Sequence, residues 1–251
     1  MEKIILKNKL AIDKMRTAGR LLAQIMKEIE TLVVVGVSTF EIDKCIGERM
    51  HQVGLKAECK GYAGYRFATC ISINDGVIHG VPSKEVILKS GDFVKIDVVG
   101  SFKGYCADLS RYFFIGQVPE MAKKLAFIAQ KALDAAVEKA VPGIRLSDIS
   151  CVIQHIVEDA GFGIVRDFAG HGIGRSLHEA PNIPNYGRSG TGPILQEGMA
   201  LAIEPMITEK SYKVYVMDDG WTVRTVDGGL AAHVEDTIVI TKSGAEVLTR
   251  L

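Results

Sequence analysis

Apolar residues recur at helical spacing from Ile12 to Leu32. Met15, Ala18, Leu22, Ile25, Met26 and Ile29 fall on one stripe, with Lys14, Arg16, Lys27 and Glu28 off it, which predicts an amphipathic helix. Ser38, followed three residues later by Glu41, has capping-box spacing and opens a second helix that stops at Gly54. From Thr69 to Ile115 the text is strand-like. It is clearest from Phe93 to Gly116, where Gly100-Ser101-Phe102-Lys103-Gly104 predicts a hairpin turn. Helical text returns from Pro119 to Val141 and is ended by Pro142-Gly143. Ser147 is placed to cap a fourth helix running to Gly161. Strand text resumes at Ile164 and continues to Thr241, with turns at Asp219-Gly220 and Asp227-Gly228-Gly229.

The order helix, helix, strands therefore occurs twice. Gly36-x4-Glu41-Ile42 is echoed by Gly143-x4-Asp148-Ile149 at the start of each half's second helix. A duplicated α+β unit predicts an antiparallel sheet backed by helices on a single face, with an internal pseudo-twofold. The most loop-like stretch, Gly187 to Pro193, is short, and no low-complexity linker parts the halves. One domain over 1–251 is expected, with half-repeats at 9–116 and 119–241.

Composition narrows the function classes. Thirty basic and thirty acidic residues cancel, so nothing pulls the chain toward nucleic acid or an anionic membrane. Five cysteines without C-x-x-C spacing fit reduced thiols in a cytoplasm. Charges break the amino-terminal stretch Met1 to Lys9 too early for a signal peptide. No run approaches the roughly 18 apolar residues of a membrane helix. A soluble cytoplasmic protein is expected, and no heptad or exposed-edge signal calls for more than a monomer.

The repeat also carries chemistry. His79-Gly80-Val81-Pro82 precedes Gly91 to Asp97, and His178-Glu179-Ala180-Pro181 precedes Gly198 to Glu204. In each half an apolar run ends in an acid six residues after a glycine. Each half then supplies a second acid, Asp108 in the return strand of the first hairpin and Glu235 beside the run Thr237 to Ile240. Alone, each acid reads as a strand-end charge. Repeated in register inside apolar strands, they are carboxylates too costly to bury without cations. Two divalent ions bridged by shared acids solve that problem.

His171 sits in Gly170-His171-Gly172-Ile173-Gly174, where glycines permit close approach. Alone it would read as a satisfied core histidine. With Asp97, Asp108, Glu204 and Glu235 it completes one imidazole and four carboxylates, a set suited to Mn, Fe or Co rather than a thiolate zinc site. His79 and His178, each three residues before a proline, read alone as turn histidines. Beside a dinuclear site they could hold substrate and stabilise an oxyanion. Cys59, Tyr62, Tyr65 and Cys70, with the single tryptophan, Trp221, are explicable as packing. Together they would also suit a methionine thioether.

These motifs resemble methionine aminopeptidases of the bacterial type I class, members of the pita-bread metallopeptidases. The resemblance spans the chain and rests on Ser72-Ile73-Asn74, His79 to Pro82, Ile96-Asp97-Val98, Gly170 to Gly174, Leu177-His178-Glu179, Ala202 to Met206 and Glu235-Asp236-Thr237. It implies a pita-bread fold. It implies Asp97, Asp108, His171, Glu204 and Glu235 as ligands of two divalent ions, with Asp108 and Glu235 bridging. It implies substrate contacts from His79 and His178, and a methionine pocket of Cys59, Tyr62, Tyr65, Cys70, Leu177 and Trp221. The implied reaction removes the amino-terminal methionine from nascent proteins and peptides, preferring small second residues, through a metal-bridging hydroxide. Glu204 would relay the proton, His178 would face the oxyanion and His79 the amide nitrogen. The family's role on nascent chains adds transient association with the ribosome. Three positions depart from the pattern: Leu177 where Phe is frequent, Ala107 where Gly is common, and Asp236 where His is usual. Asp236 is expected to add negative charge near the metals.

Two rival readings share the fold. A proline-directed exopeptidase usually carries an additional amino-terminal domain, and here about 30 residues precede Gly36. A binding module that lost catalysis would lack the five ligands. A nucleotide or redox protein finds no G-x-G-x-x-G after a strand and no P-loop.

Overall fold

The computed structural model describes residues 3–251; Met1 and Glu2, which begin the amino-terminal stretch read above, lie outside the described residues. Helix α1 runs from Lys9 to Glu28, capped by Asn8, whose side chain accepts the Ala11 N–H at 2.9 Å. It buries the predicted stripe of Met15, Ala18, Leu22, Ile25 and Met26. Helix α2, Thr39–Gln52, forms the expected capping box: the Ser38 hydroxyl accepts the Glu41 N–H, and the Glu41 carboxylate accepts the Ser38 N–H at 2.9 Å.

Five strands follow: β1 (Lys56–Ala57), β2 (Thr69–Ile73), β3 (Gly76–Ile78), β4 (Phe93–Phe102) and β5 (Tyr105–Phe114). The β4–β5 turn is Lys103-Gly104, both at positive φ, as a two-residue primed turn requires. Then come α3 (Glu120–Lys139) and α4 (Leu146–Asp159). The cap of α4 differs from expectation. Arg145 occupies the N-cap position and its N–H goes to the Asp148 carboxylate, while the Ser147 hydroxyl exchanges hydrogen bonds with Thr191. The bridge between Arg145 and Ile194 holds Arg145 extended and starts the helix at Leu146.

The second half contributes β6 (Gly163–Ile164), β7 (Ala169–Gly172), β8 (Glu179–Pro184), β9 (Ala200–Ile203), β10 (Met206–Thr208), β11 (Val214–Val216), β12 (Val223–Thr225), β13 (Ala231–His233), β14 (Glu235–Thr241) and β15 (Gly244–Val247). A nine-stranded antiparallel sheet follows the order β1-β4-β5-β14-β9-β7-β8, with β2 also on β4 and β15 also on β14. Two three-stranded sheets, β13-β10-β6 and β11-β12-β3, stand beside it. The chain leaves the large sheet between β9 and β10 at Glu204-Pro205, where proline has no N–H for the ladder.

Strand alternation divides the large sheet into two faces. Val94, Ile96, Val98, Ala107 and Leu109 pack with α1 and α2. Leu201, Ile203, Ile238 and Ile240 pack with α3 and α4. The residues between them, Asp97, Val99, Asp108 and Glu235, turn to the opposite face. Among the described residues no helix is long and apolar enough to cross a membrane.

Candidate metal centre and substrate pocket

All thirteen residues singled out from the sequence line one cavity, joined by Val99. Register brings them there. Asp97 on β4 lies opposite Ser110 on β5, and Ser110 lies opposite Glu235 on β14. His171 on β7 lies opposite Ala202 on β9, two residues before Glu204. The backbone of Asp108 is tied to β14 by Thr237, whose hydroxyl accepts its N–H and donates to its carbonyl, each at 2.8 Å. The glycines beside His171 answer to close strand approach. A Cβ on Gly172 would lie 2.2 Å from the Ala180 carbonyl, and one on Gly170 2.5 Å from that of Ala202.

The imidazole of His171 is oriented for ligation. Its Nδ1 meets the Gly172 carbonyl at 2.9 Å, which takes the Nδ1 proton. The Nε2 lone pair then faces Glu204 Oε1 at 3.5 Å and Asp108 Oδ2 at 3.9 Å. Around it, Asp97 Oδ1, Asp108 Oδ1 and Glu235 Oε1 are buried without a hydrogen-bond partner among the described residues. Burial pushes the Asp97 carboxyl up to about 6 and that of Glu204 to about 8. Asp108 and Glu235 are also raised, first by burial and then by the neighbouring acids. Burial lowers His171 to about 3, leaving it neutral. Orphaned carboxylate oxygens around a neutral imidazole lack only cations, and an oxygen-rich set of this kind fits hard or borderline divalent ions. Asp108, His171 and Glu235 offer ligand atoms within 4.8 Å of one another, as do Glu204, His233 and Glu235.

The substrate side is built from the two H-x-x-P loops. His79 holds a positive φ of 57°, a strained conformation for a residue with a side chain. The loop is pinned where the Gly80 carbonyl accepts the Ile71 N–H at 2.7 Å, and a Cβ on Gly80 would strike the Ile71 carbonyl. Burial keeps the His79 imidazole neutral, lowered to about 4. His178 stands with its ring centroid 4.4 Å from that of His171, and its Nδ1 lies 2.8 Å from the Tyr62 hydroxyl. Behind them Tyr65 packs edge-on to Trp221 at 4.9 Å. The Tyr65 hydroxyl donates to the Thr69 carbonyl, so its ring rather than its polar tip faces the pocket. The cavity, about 100 Å³, has room for roughly three waters.

Two residues read differently in three dimensions. Asp236 points away from the metal side, although its charge still reaches that side and helps to raise the Glu235 carboxyl. It is fully buried on the helix-facing side of β14, where Arg111, Arg250 and the Thr249 hydroxyl all bond its carboxylate at 2.7–2.8 Å. His233, which the motifs did not single out, sits beside Glu204 and Glu235. Its only sequence signal is its place two residues before Glu235.

Comparison with known proteins agrees with this geometry. The profile of metallopeptidase family M24 matches residues 13–242. The chain is 44% identical to a methionine aminopeptidase of Clostridium acetobutylicum over 98% of both chains. It is 43% identical to that of Escherichia coli K12, over 95% of this chain and 90% of the relative. The crystal structure of a Thermotoga maritima methionine aminopeptidase superposes with a TM-score of 0.97 at 43% identity, covering 99% and 100% of the two chains. A Pyrococcus horikoshii prolidase superposes with a TM-score of 0.78 at 27% identity, but the match covers only 63% of that longer chain.

Proposed function

Because the chain belongs to metallopeptidase family M24, we propose that it removes the amino-terminal methionine from peptides and nascent proteins by metal-dependent hydrolysis, preferring small second residues. One observation carries this reading: five ligand-type side chains and an apolar, sulfur- and aromatic-lined recess open into the same small cavity. Asp97, Asp108, His171, Glu204 and Glu235 would hold two divalent ions, of Fe, Mn or Co. Once bound, the ions would supply Lewis acidity to polarise the scissile carbonyl and acidify the attacking water.

The chain's own groups do the rest. Cys59, Tyr62, Tyr65, Cys70, Leu177 and Trp221 receive the methionine side chain, and the small recess excludes longer or branched ones. Glu204 accepts the proton of the attacking water and returns it to the leaving amine. The Tyr62 hydroxyl at His178 Nδ1 leaves the Nε2 proton free to donate to the developing oxyanion. His79, neutral and held in its strained loop, faces the scissile amide nitrogen. We place this activity in a single domain of two half-repeats, in a cytoplasmic monomer acting on chains as they leave the ribosome.

A peptide panel with Met-Gly, Met-Ala, Met-Leu, Ala-Pro and Leu-Gly starts, read by mass spectrometry, tests the reading. Chelator-sensitive loss of the leading methionine before small residues is expected. Cleavage of Ala-Pro instead would transfer the chain to the prolidase-like readings, and no cleavage with any metal would favour a non-catalytic binding module.

A further inference from the structure

One buried group at this centre has no part in the reaction as set out above, the imidazole of His233. It ends β13, where it pairs with Met206 on β10, and is 1% exposed. Its Nε2 has no hydrogen-bond partner among the described residues. The carboxylate oxygens facing it are Glu204 Oε2 at 3.5 Å and Glu235 Oε2 at 3.8 Å. Buried ring nitrogens are ordinarily bonded, so an orphan of this kind asks for a missing partner.

The spacing identifies that partner. Neither contact is a normal hydrogen bond, which would bring nitrogen and oxygen to roughly 2.7–3.2 Å. Ligand bonds of roughly 2.0–2.2 Å instead separate tetrahedral neighbours by about 3.3–3.6 Å. His171 stands at the same 3.5 Å from the other oxygen of the same carboxylate, Glu204 Oε1. Glu204 thus presents one oxygen to each of two imidazoles. The nitrogen of His233 and the oxygens of Glu204 and Glu235 lie within 4.8 Å of one another, all three residues buried.

We propose that His233 is a protein ligand of the metal centre, adding a second imidazole on the side shared by Glu204 and Glu235. This rests on the metal-centre reading above and changes its chemistry. Imidazole favours Fe, Co and Zn, whereas an all-carboxylate position suits Mn and Mg. His233 therefore tilts the centre toward the borderline ions.

The test uses the full chain, stripped of metal and reloaded with Co²⁺ or Mn²⁺. X-ray absorption of the Co²⁺ form should report two coordinated imidazoles per protein, falling to one in His233→Gln. Calorimetric titration should show Co²⁺ bound more than about 100-fold more weakly by that variant, beyond the roughly 10–100-fold that loss of an outer hydrogen-bonding partner costs, with a smaller loss for Mn²⁺. Glutamine retains an N–H able to bond Glu204, so a mere hydrogen-bonding role would leave affinity and imidazole count unchanged, and that result overturns the proposal. Should the variant not fold, the wild-type spectrum decides alone: one imidazole per protein overturns it, two support it. Two imidazoles in a protein that spares every Met-peptide would refute the peptidase reading and leave this site standing. Met-peptide cleavage with one imidazole would do the reverse.

Discussion

The Lys7 ammonium donates to Glu179 Oε2 at 2.7 Å, with both side chains almost fully buried. The other Glu179 oxygen accepts the backbone N–H groups of Arg175 and Ser176. A residue ahead of α1 thereby fastens the loop that carries Leu177 and His178. Removing one member of such a pair leaves an uncompensated buried charge. Lys7→Met should cost about 3–5 kcal/mol in urea unfolding, and adding Glu179→Gln should recover part of that loss. An additive double variant would show that the pair does not couple.

Metal removal should destabilise the fold, because it returns several carboxylates to burial without cations. At a metal concentration about 100 times Kd, binding adds roughly 2.7 kcal/mol. For a chain of this length that corresponds to roughly 5–10 °C in Tm. Calorimetric melting with and without chelator, then with Mn²⁺ or Co²⁺ restored, reads the shift directly. An unchanged Tm would argue that no ion binds the native state.

His178→Ala should lower kcat by about 10²–10³-fold if the ring donates to the oxyanion. Tyr62→Phe removes only the hydroxyl that bonds Nδ1, and the loss of one such bond corresponds to roughly a two- to tenfold decrease. Steady-state kinetics on a Met-Ala peptide separate the two. A change within twofold for His178→Ala would remove it from that role.

Asp236 ties the carboxy-terminal residues to the sheet. Asp236→Ala strips the acceptor shared by Arg111, Arg250 and Thr249 and should cost about 3–5 kcal/mol. Arg250→Gln leaves Arg111 in place and should cost about 1 kcal/mol. Because Asp236 faces the helices, the stable Arg250→Gln protein should bind metal as the wild type does. Weakened metal binding in that variant would show that the two faces of β14 are coupled.

Asp43 should carry a pH signature. Its Oδ1 accepts the Ala68 and Thr69 N–H groups and the Thr69 hydroxyl, each at 2.9 Å, yet burial raises its pKa above the usual carboxylate value. A raised folded-state pKa means that the native protein holds the proton more tightly than the unfolded chain. Its contribution is therefore greatest at low pH and declines as pH rises from the unfolded pKa through the folded one. Relative to Asp43→Asn, the wild type should lose stability across that interval and then level off. A parallel pair of urea-stability curves from pH 3.5 to 7 would refute this.

Local pattern made much of this molecule legible. Four helices, the Ser38–Glu41 box and the β4–β5 turn follow from periodicity and capping, which act over a few residues. The two H-x-x-P cassettes and their acids exposed six of the cavity residues, because buried carboxylates in apolar strands stand out in the text; His171 stood out between its glycines, and the six methionine-pocket residues were assigned by the family resemblance. His233, the surroundings of Asp236 and the true cap of α4 were different. Each depends on a partner far away in sequence: Glu204 for His233, Arg111 for Asp236, Ile194 for Arg145. Strand alternation turned Asp236 away from Glu235 and toward two arginines, and no spacing rule specifies which arginines will be there. Which side chains could bind metal was readable along the chain, since that is a property of residue type and local burial. Which of them meet was settled by folding, because register and sheet switching set those distances through contacts more than a hundred residues apart.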